Sequence, residues 1–319
     1  MDSKPLISII TPSYNQAGFL EACIQSVLTQ DYTHIEYLIV DGGSQDGSVE
    51  IIRRYQDRIT WWVSEKDKGQ ADAFNKGLNK ATGKYIGWLN SDDLYMDNAV
   101  AQAIDFLEAN PELAFVFGNV QSIDENGNIT NIMRYSDWQL PDLMRFKMIG
   151  QPAVFMRADL VKKVGGLDTG YHFLLDHQLW LKLAQEAPIR HVDRIWAAGR
   201  FHSQAKNIAH AEKFGQDAYN LVAWMENNPD LRNAFREDSK KILAGAHRMN
   251  ARYLLDGKQY QQAFKVYRQG LMLDFMTIAP ELHRMFYALL APYGMRRLKD
   301  FYLWLKFKIN RPDKKGKKI

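Results

Sequence analysis

Residues 67–93 read DKGQADAFNKGLNKATGKYIGWLNSDD. Their order decides the fold. Gln70–Lys80 reads as a helix, and a Gly83-Lys84 turn follows it. The apolar run Lys84–Leu89 then reads as a buried strand. That run stops at Asn90, and Asp92 and Asp93 stand side by side just beyond it. Like charges so close resist joint ionisation unless a cation or water intervenes. The pair is therefore either an acidic turn before the helix that starts near Asp97, or a metal site.

The same helix–strand alternation extends back to the N-terminus. Leu6–Ile10, Ile35–Val40 and Ile59–Val63 read as strands, with helices over Gly18–Leu28 and Ser48–Tyr55 between them. Strands alternating with helices predict a parallel sheet with helices on both faces. Continuous apolar strands fit a sheet buried on both sides. In such sheets ligands sit beyond the carboxyl ends of the strands. There the chain reads Thr11-Pro12-Ser13-Tyr14-Asn15, Asp41-Gly42-Gly43-Ser44, Glu65-Lys66-Asp67-Lys68-Gly69 and Asn90-Ser91-Asp92-Asp93. One such loop is ordinary, but four at one sheet edge define a candidate site.

The pattern loosens after about residue 110. Ala114–Val120 reads as a fifth strand, Asp124–Asn128 as a tight turn, and Val154–Met156 as a short apolar segment. A helix ends at Val164-Gly165-Gly166. Leu179–Ala184 reads as a helix and His191–Phe201 as a late strand. From about residue 207 the chain turns helical. Glu237–Leu255 and Tyr260–Leu273 form two amphipathic stretches joined at Gly257, like one tetratricopeptide-type hairpin. One hairpin is not an array, so it reads as a packing appendage. The expected division is 1–206, 207–292 and a basic amphipathic tail at 293–319.

Composition excludes several classes. Hydrophobic residues make up 46% of the 319, enough for a large core rather than a disordered chain. A lone cysteine, Cys23, excludes an internal disulfide and a cysteine-rich zinc site. No signal-type segment and no run of about 18 apolar residues is present, so the expectation is a cytoplasmic protein without a membrane span. The net charge of +4 is uneven. Residues 294–319 hold ten Lys or Arg against two Asp, which leaves the rest acidic. The core therefore carries no signature of nucleic-acid binding. The tail mixes those cations with Phe301, Tyr302, Trp304 and Phe307. It reads either as a helix lying on an anionic membrane surface or as a packing helix with a solvated end.

Hard cations such as Mg2+ and Mn2+ take oxygen ligands, often one or two carboxylates plus substrate phosphates. Asp92-Asp93 suits that chemistry. At this point the segment Ser8–Tyr95 resembles the nucleotide-sugar-binding half of family 2 glycosyltransferases, inverting enzymes of the GT-A fold, in the type that assembles bacterial polysaccharides. The matching blocks, in order, are SIITPSYNQAGFLEACIQSVLTQ, IEYLIVDGGSQDGS and DKGQADAFNKGLNKATGKYIGWLNSDD. The likeness thins toward Phe201.

The resemblance implies roles. Thr11, Pro12 and Tyr14 match the motif that holds the pyrimidine base, with the Tyr14 ring against it. Asp41 matches the acid that accepts a hydrogen bond from the base, and Asp72 contacts base or ribose, with Lys68 in the same loop. Asp93 matches the acid that reaches the metal, Mn2+ or Mg2+, and Asp92 the one that holds ribose or metal-bound water. The division between those two stays open. Asp176, four before Trp180, matches the general base. Leu175 replaces the usual preceding acid and His177 follows, so His177 is an alternative base. Gln151 resembles a residue near the acceptor, and Trp180 opens the acceptor-side helix. Arg200 and His202 resemble a late element in which Arg steadies the diphosphate and His ligates the metal.

Plainer roles compete. Tyr14 could be a core aromatic, Asp41 a turn cap, Lys68 a solvated side chain, and Asp176 a helix cap. The implied activity is transfer of one hexosyl or N-acetylhexosaminyl unit from a UDP-sugar to a glycan or lipid-linked glycan. Nucleotidylyl transfer is the rival enzyme class, but it needs a glycine-rich basic loop after the first strand. The Thr11–Gly18 loop has one glycine and no Lys or Arg. A non-catalytic glycan-binding scaffold is the other rival, and it has no use for Asp93 and Asp176.

Overall fold

The structure is a computed structural model that describes residues 4–201 and 211–293. His202 and the basic tail lie outside the described residues. The chain divides into two compact units, Met1–Ala205 and Lys206–Ile319.

The first unit opens with β1 (Ile7–Ser13), α1 (Ala17–Leu28), β2 (Ile35–Asp41), α2 (Ser48–Arg54), β3 (Trp61–Ser64), α3 (Gln70–Lys80) and β4 (Tyr85–Trp88). These strands pair in parallel in the order β3-β2-β1-β4. Alternation along β1 explains how both faces are covered. Ile7 and Ile9 join Leu20, Ile24 and Val27 of α1 and Ile52 of α2 in one core cluster. Ile10 faces the other way, against α3. A methyl group on Gly77 of α3 would come within 2.5 Å of Ile10 Cγ2, so glycine sets the closeness of helix and sheet.

The end of the sheet remote from the site is tied by a buried carboxylate. Glu36 of β2 accepts from Ser8 Oγ of β1 and, at 2.8 Å each, from Thr82 N and Thr82 Oγ1 in the turn before β4. A buried carboxylate persists only with such partners. This knot holds three successive strand segments in register.

The second half mixes directions. It comprises β5 (Leu94–Tyr95), α4 (Ala99–Ala109), β6 (Phe115–Ile123), β7 (Ile129–Met133), α5 (Leu140–Met144), β8 (Val154–Arg157), α6 (Ala158–Lys163), α7 (Leu175–Glu186) and β9 (Ile189–Arg200). The sheet continues from β4 through β8, β6 and β9 to β5, and β7 hangs on β6. β8 runs antiparallel to both β4 and β6, while β6 and β9 are parallel. β5 pairs antiparallel with the end of β9, which carries Arg200 back to the acidic loop. Two short strands, β5 and β7, had no apolar pattern of their own, and α7 begins at Leu175, four residues before the expected start.

The second unit holds α8 (Ala211–Asn227), α9 (Arg232–Asp256), α10 (Tyr260–Leu273), α11 (Phe275–Ile278) and α12 (Leu282–Leu290). The expected hairpin is α9–α10. Glu281, just before α12, packs against this hairpin, accepting from Tyr267 Oη at 2.8 Å and pairing with Arg252 and, at 3.8 Å, Arg248.

Candidate active site

Strand register aligns the polar ends. Ser13 stands opposite Asp41, and Asp41 opposite Ser64. The loops beyond them are stitched together. Asn15 N donates to Ser44 Oγ (2.8 Å), Gln45 N to Asn15 Oδ1 (3.0 Å), Gln16 N to Ser48 Oγ (3.1 Å) and Ala17 N to Asp46 Oδ2 (2.8 Å). Asn15 takes the left-handed conformation, φ 51°, which a short polar side chain tolerates. The result is a braced platform on which the Tyr14 ring is 62% exposed. It is not a core aromatic. Its motif companions Thr11 and Pro12 are buried in β1, and Thr11 Oγ1 accepts from Tyr37 Oη at 3.3 Å. Those two shape the strand rather than line the cleft.

Asp41 departs from the implied base contact. Its side chain is fully buried and accepts from Gly43 N (3.1 Å), Ser44 N (2.9 Å), Ser44 Oγ (2.5 Å) and Ser64 Oγ (2.7 Å). Three donors converge on Oδ2 and one reaches Oδ1, so the carboxylate braces the turn. Asp72 accepts from Lys68 N at 3.1 Å and lies 3.5 Å from Lys76 Nζ, bracing the loop before α3. Lys68 is exposed.

The acidic loop is built around Asn90. Its Oδ1 accepts from Trp88 Nε1 (2.9 Å) and from Gln70 Nε2 at the start of α3 (2.6 Å). Its Nδ2 donates to Gln151 Oε1 (2.8 Å) and Asp93 Oδ2 (3.3 Å). The Gln151 amide in turn donates to Trp88 O at 2.6 Å. Gln151, expected near the acceptor, is thus a buried brace.

Asp93 is 7% exposed. Its Oδ1 accepts from the Arg200 amide at 2.9 Å and its Oδ2 from Asn90. Asp92 is partly exposed. The carboxylate expected to reach the metal is therefore the one turned into the protein, and its neighbour lies nearer solvent. Burial, then the charge of Asp92, push the Asp93 carboxyl well above the usual carboxylate range.

Arg200 also departs from expectation. Its guanidinium donates to three carbonyls, Asp92 O (3.0 Å), Asp124 O (3.0 Å) and Glu125 O (3.2 Å), and lies 4.8 Å from the Phe19 ring centre. It holds the acidic loop in place. His202 lies outside the described residues, and among the described residues no group of three His, Cys, Asp or Glu could hold a metal. Two adjacent carboxylates fit a hard cation that takes its other ligands from a diphosphate and water.

On the acceptor side, Asp176 sits in the first turn of α7, partly exposed, with Oδ1 accepting from His177 N at 2.8 Å. Burial raises its carboxyl to about 6. Its charge reaches Tyr135, whose hydroxyl accepts from the Gly150 amide next to Gln151. His177 does not share this face. It is fully buried, its Nε2 lies 2.9 Å from Leu143 O, and its ring stacks on Phe146 at 5.4 Å. Burial lowers its pKa to about 4, so it is neutral and turned into the core. Trp180 is likewise wholly buried, 5.3 Å from the Phe115 ring. Both are packing residues, not acceptor contacts. Gln70 was not singled out, and Asn90 and Asp67 stood only among the strand-end loops without roles of their own. Their signal was position alone, at a helix start or a strand end.

The sheet order, the acidic loop after β4 and the carboxylate on α7 define a GT-A nucleotide-diphospho-sugar transferase fold. Solved structures share it at low identity. The TarS structure from S. aureus with UDP-GlcNAc is 15% identical, with 86% of this chain and 89% of that one covered and a TM-score of 0.57. The mannosyltransferase PcManGT from Pyrobaculum calidifontis, with GDP-Man and Mn2+, is 19% identical, with 98% and 89% covered and a TM-score of 0.58.

Residues 8–160 match the profile of Glycosyl transferase family 2. An uncharacterized glycosyltransferase of Rickettsia typhi is 30% identical over 216 residues, 65% of this chain and 67% of that protein. The chain belongs to Glycosyl transferase family 2. Chondroitin synthase of Escherichia coli is 28% identical over 209 residues, 64% of this chain and 30% of that enzyme. An uncharacterized glycosyltransferase of Rickettsia conorii is 32% identical over 211 residues, 62% of this chain. The match spans about a third of the length of that protein and of two other rickettsial relatives.

Proposed function

We propose that the chain transfers a sugar, with inversion, from a nucleoside diphosphate donor, UDP-linked, to a hydroxyl of a glycan or lipid-linked glycan, in polysaccharide assembly. One observation carries the reading. An exposed ring on a braced loop after β1 and an acidic loop after the adjacent β4 leave the same sheet edge, and α7 supplies a separate carboxylate. UDP-GlcNAc in the TarS structure, GDP-Man with Mn2+ in the Pyrobaculum structure and the name chondroitin synthase support donor, metal and pathway class.

On this reading Tyr14 stacks on the base. Asp92, the more exposed acid, would hold Mn2+ or Mg2+ together with the diphosphate, with Asp93 behind it. The ion would neutralise charge on the departing diphosphate. Asn90 and Arg200 keep the acidic loop in one conformation before donor arrives. Asp176 takes the proton of the attacking hydroxyl as the nucleophile approaches the anomeric carbon from the side opposite the leaving group. A base with a pKa about one unit below neutral pH is largely ionised and still basic enough to accept that proton.

Among the described residues no helix is long and apolar enough to cross a membrane. The proposal includes peripheral contact of residues 294–319 with an anionic membrane, and unchanged membrane fractionation after their deletion would refute that part. The central test is thermal shift with UDP and Mn2+, plus hydrolysis of UDP-sugars by the parent, Asp92→Asn and Asp176→Asn. Donor at a hundredfold over Kd stabilises by about 2.7 kcal/mol. No shift with UDP, and variants indistinguishable from the parent, would remove the reading.

A further inference from the structure

Helix α12 carries apolar residues on both of its sides. Ala288 faces inward, in a core cluster with Leu254, Leu255 and Ala263, and Tyr287 meets Tyr260 edge-on at 5.9 Å. At about 100° per residue, Phe286 and Leu290 lie opposite Ala288, with Leu282 and Leu289 flanking them. His283 is the one polar side chain on that outer face, and burial lowers its pKa. Phe286 is 60% exposed, and Leu289 is exposed as well. A surface helix ordinarily turns polar residues outward.

The exposed apolar side chains continue onto the neighbouring elements. Met272 near the end of α10 is 81% exposed and Met276 of α11 is 75% exposed, with Phe275 exposed beside it. Leu271, Ile278 and Met285 pack in one core cluster, so their exposed neighbours Met272, Phe275, Met276 and Phe286 rim the same part of the unit. A group of large apolar side chains left in solvent marks an interaction surface.

The charges around it are of one sign. Lys265 and Arg268 are exposed on the α10 ridge that leads to Met272. Between Tyr260 and Leu290 the acids are Asp274 and Glu281, and neither is exposed. Asp274 caps α11, accepting from Thr277 N at 2.7 Å, and Glu281 pairs with Arg252 and Arg248. The exposed Asp256 stands at the α9–α10 turn, two residues from the exposed Lys258. Residues 294–319, next in the chain, add ten Lys or Arg against two Asp. A second copy of the chain would bring these cations against themselves across a two-fold interface, with no exposed acid between Tyr260 and Leu290 to answer them. A partner that is both apolar and anionic answers both features.

We propose that the outer face of α11 and α12, with Met272, docks on an anionic lipid bilayer. Phe275, Met276, Phe286 and Leu289 enter the boundary between headgroups and acyl chains, and Lys265 and Arg268 meet the headgroups. The inference deepens the membrane part of the reading above, adding an anchor in the described chain to the one proposed for residues 294–319. Apolar side chains supply the insertion, and the cations supply the preference for anionic lipid.

The test is co-sedimentation of the full chain with vesicles of phosphatidylcholine alone and of phosphatidylcholine mixed with phosphatidylglycerol. The parent is expected to bind the mixed vesicles at least about tenfold more tightly than the neutral ones. Phe286→Ser/Leu289→Ser should weaken binding to the mixed vesicles by at least about tenfold, because the burial of two large side chains is lost. Its Tm should stay near the parent's, since both side chains are exposed. Phe275→Ser/Met276→Ser is an independent pair with the same expected outcome. Lys265→Gln/Arg268→Gln should weaken binding to the mixed vesicles by about tenfold and leave binding to the neutral ones unchanged. Cys23, the lone cysteine, is buried, so Leu289→Cys supplies an accessible thiol. An environment-sensitive fluorophore attached there should shift to the blue with the mixed vesicles. Serine variants that bind as the parent does, or a fluorophore that does not shift, would overturn the inference while leaving the contact of residues 294–319 standing. A parent that binds neither vesicle overturns both. A parent whose dimers are dissociated by Phe286→Ser/Leu289→Ser, with vesicle binding unchanged, would give the face to a second copy and overturn the inference.

Discussion

Replacing Gln151 with leucine separates two accounts of the acceptor side. If Gln151 touched acceptor, as its sequence position suggested, Gln151→Leu would raise the acceptor KM and leave the protein otherwise unchanged. The structure gives a different outcome. Leucine has about the same volume, so no cavity is expected at this buried position. It removes the bond to Trp88 O (2.6 Å) and the bond from Asn90 Nδ2 (2.8 Å). At about 0.5–1.5 kcal/mol per bond, the loss is about 1–3 kcal/mol, toward the upper end if Trp88 O stays without a partner. For a unit of roughly 200 residues, 1 kcal/mol corresponds to about 2–4 °C in Tm, so a 2 kcal/mol loss predicts a fall of about 4–8 °C. Asn90 would keep its bonds from Trp88 and Gln70 but lose one of its two outgoing ones, which loosens Asp93 and weakens UDP binding with Mn2+. The assay is thermal unfolding of parent and variant, with and without UDP and Mn2+, beside acceptor kinetics. An unchanged Tm, an unchanged UDP affinity and a raised acceptor KM together would refute the brace.

Asp176→Asn should cost about 10²–10⁴ in kcat/KM, and the parent should lose activity as pH falls through about 6. The fold penalises the charged form of Asp176, so that cost is absent below about pH 4, grows as pH rises toward 6 and is complete above it. The variant should therefore melt higher than the parent at pH 7.5 but not at pH 4, by about 1 kcal/mol after solvent screening. Equal melting differences at both pH values would refute the sign. His177→Phe should lower stability by about 0.5–1.5 kcal/mol, because it removes one hydrogen bond to Leu143 O, which keeps the Phe146 amide as donor, and should keep kcat within a few-fold. A hundredfold loss of kcat with a native melting curve would make His177 the base after all. Gly77→Ala should destabilise by about 1–3 kcal/mol despite alanine's better helix propensity of about 1 kcal/mol, because its methyl meets Ile10. A rise in Tm would show that α3 can shift without loss.

The parallel half of the fold was legible because its signals are local. Each strand is a continuous apolar run, each helix has its own periodicity, and the strand-to-loop transitions at Thr11, Asp41, Glu65 and Asn90 stand in plain sequence order. The second half was less legible because its elements depend on partners far away in the chain. β5 is two residues long and exists through pairing with Ala197 and Ala198 of β9, which no local pattern announces. β7 carries only partly buried or exposed side chains and takes its register from β6.

The site divides along a different line, between which residues gather and which way their side chains point. Sequence order placed Tyr14, Asp92 and Asp93 just beyond strand ends, Asp41 at the end of β2 and Asp176 at the start of α7. It carried no information on side-chain orientation, and orientation decides the role. Asp41 and Asp93 are the more buried carboxylates because each has backbone amides or side-chain donors aimed at it, four at Asp41 and two at Asp93. Such donors offset part of the desolvation of a buried carboxylate, although at Asp93 burial still pushes the carboxyl up. Beside Asp93 lies a less buried acid, Asp92. On the proposed reading the buried acid shapes the loop and the adjacent, more exposed acid faces the ligand. The two roles then separate experimentally. Removing the buried acid should lower Tm with or without ligand, whereas removing its exposed neighbour should leave the unliganded Tm near the parent's and erase only the stabilisation that UDP and Mn2+ add.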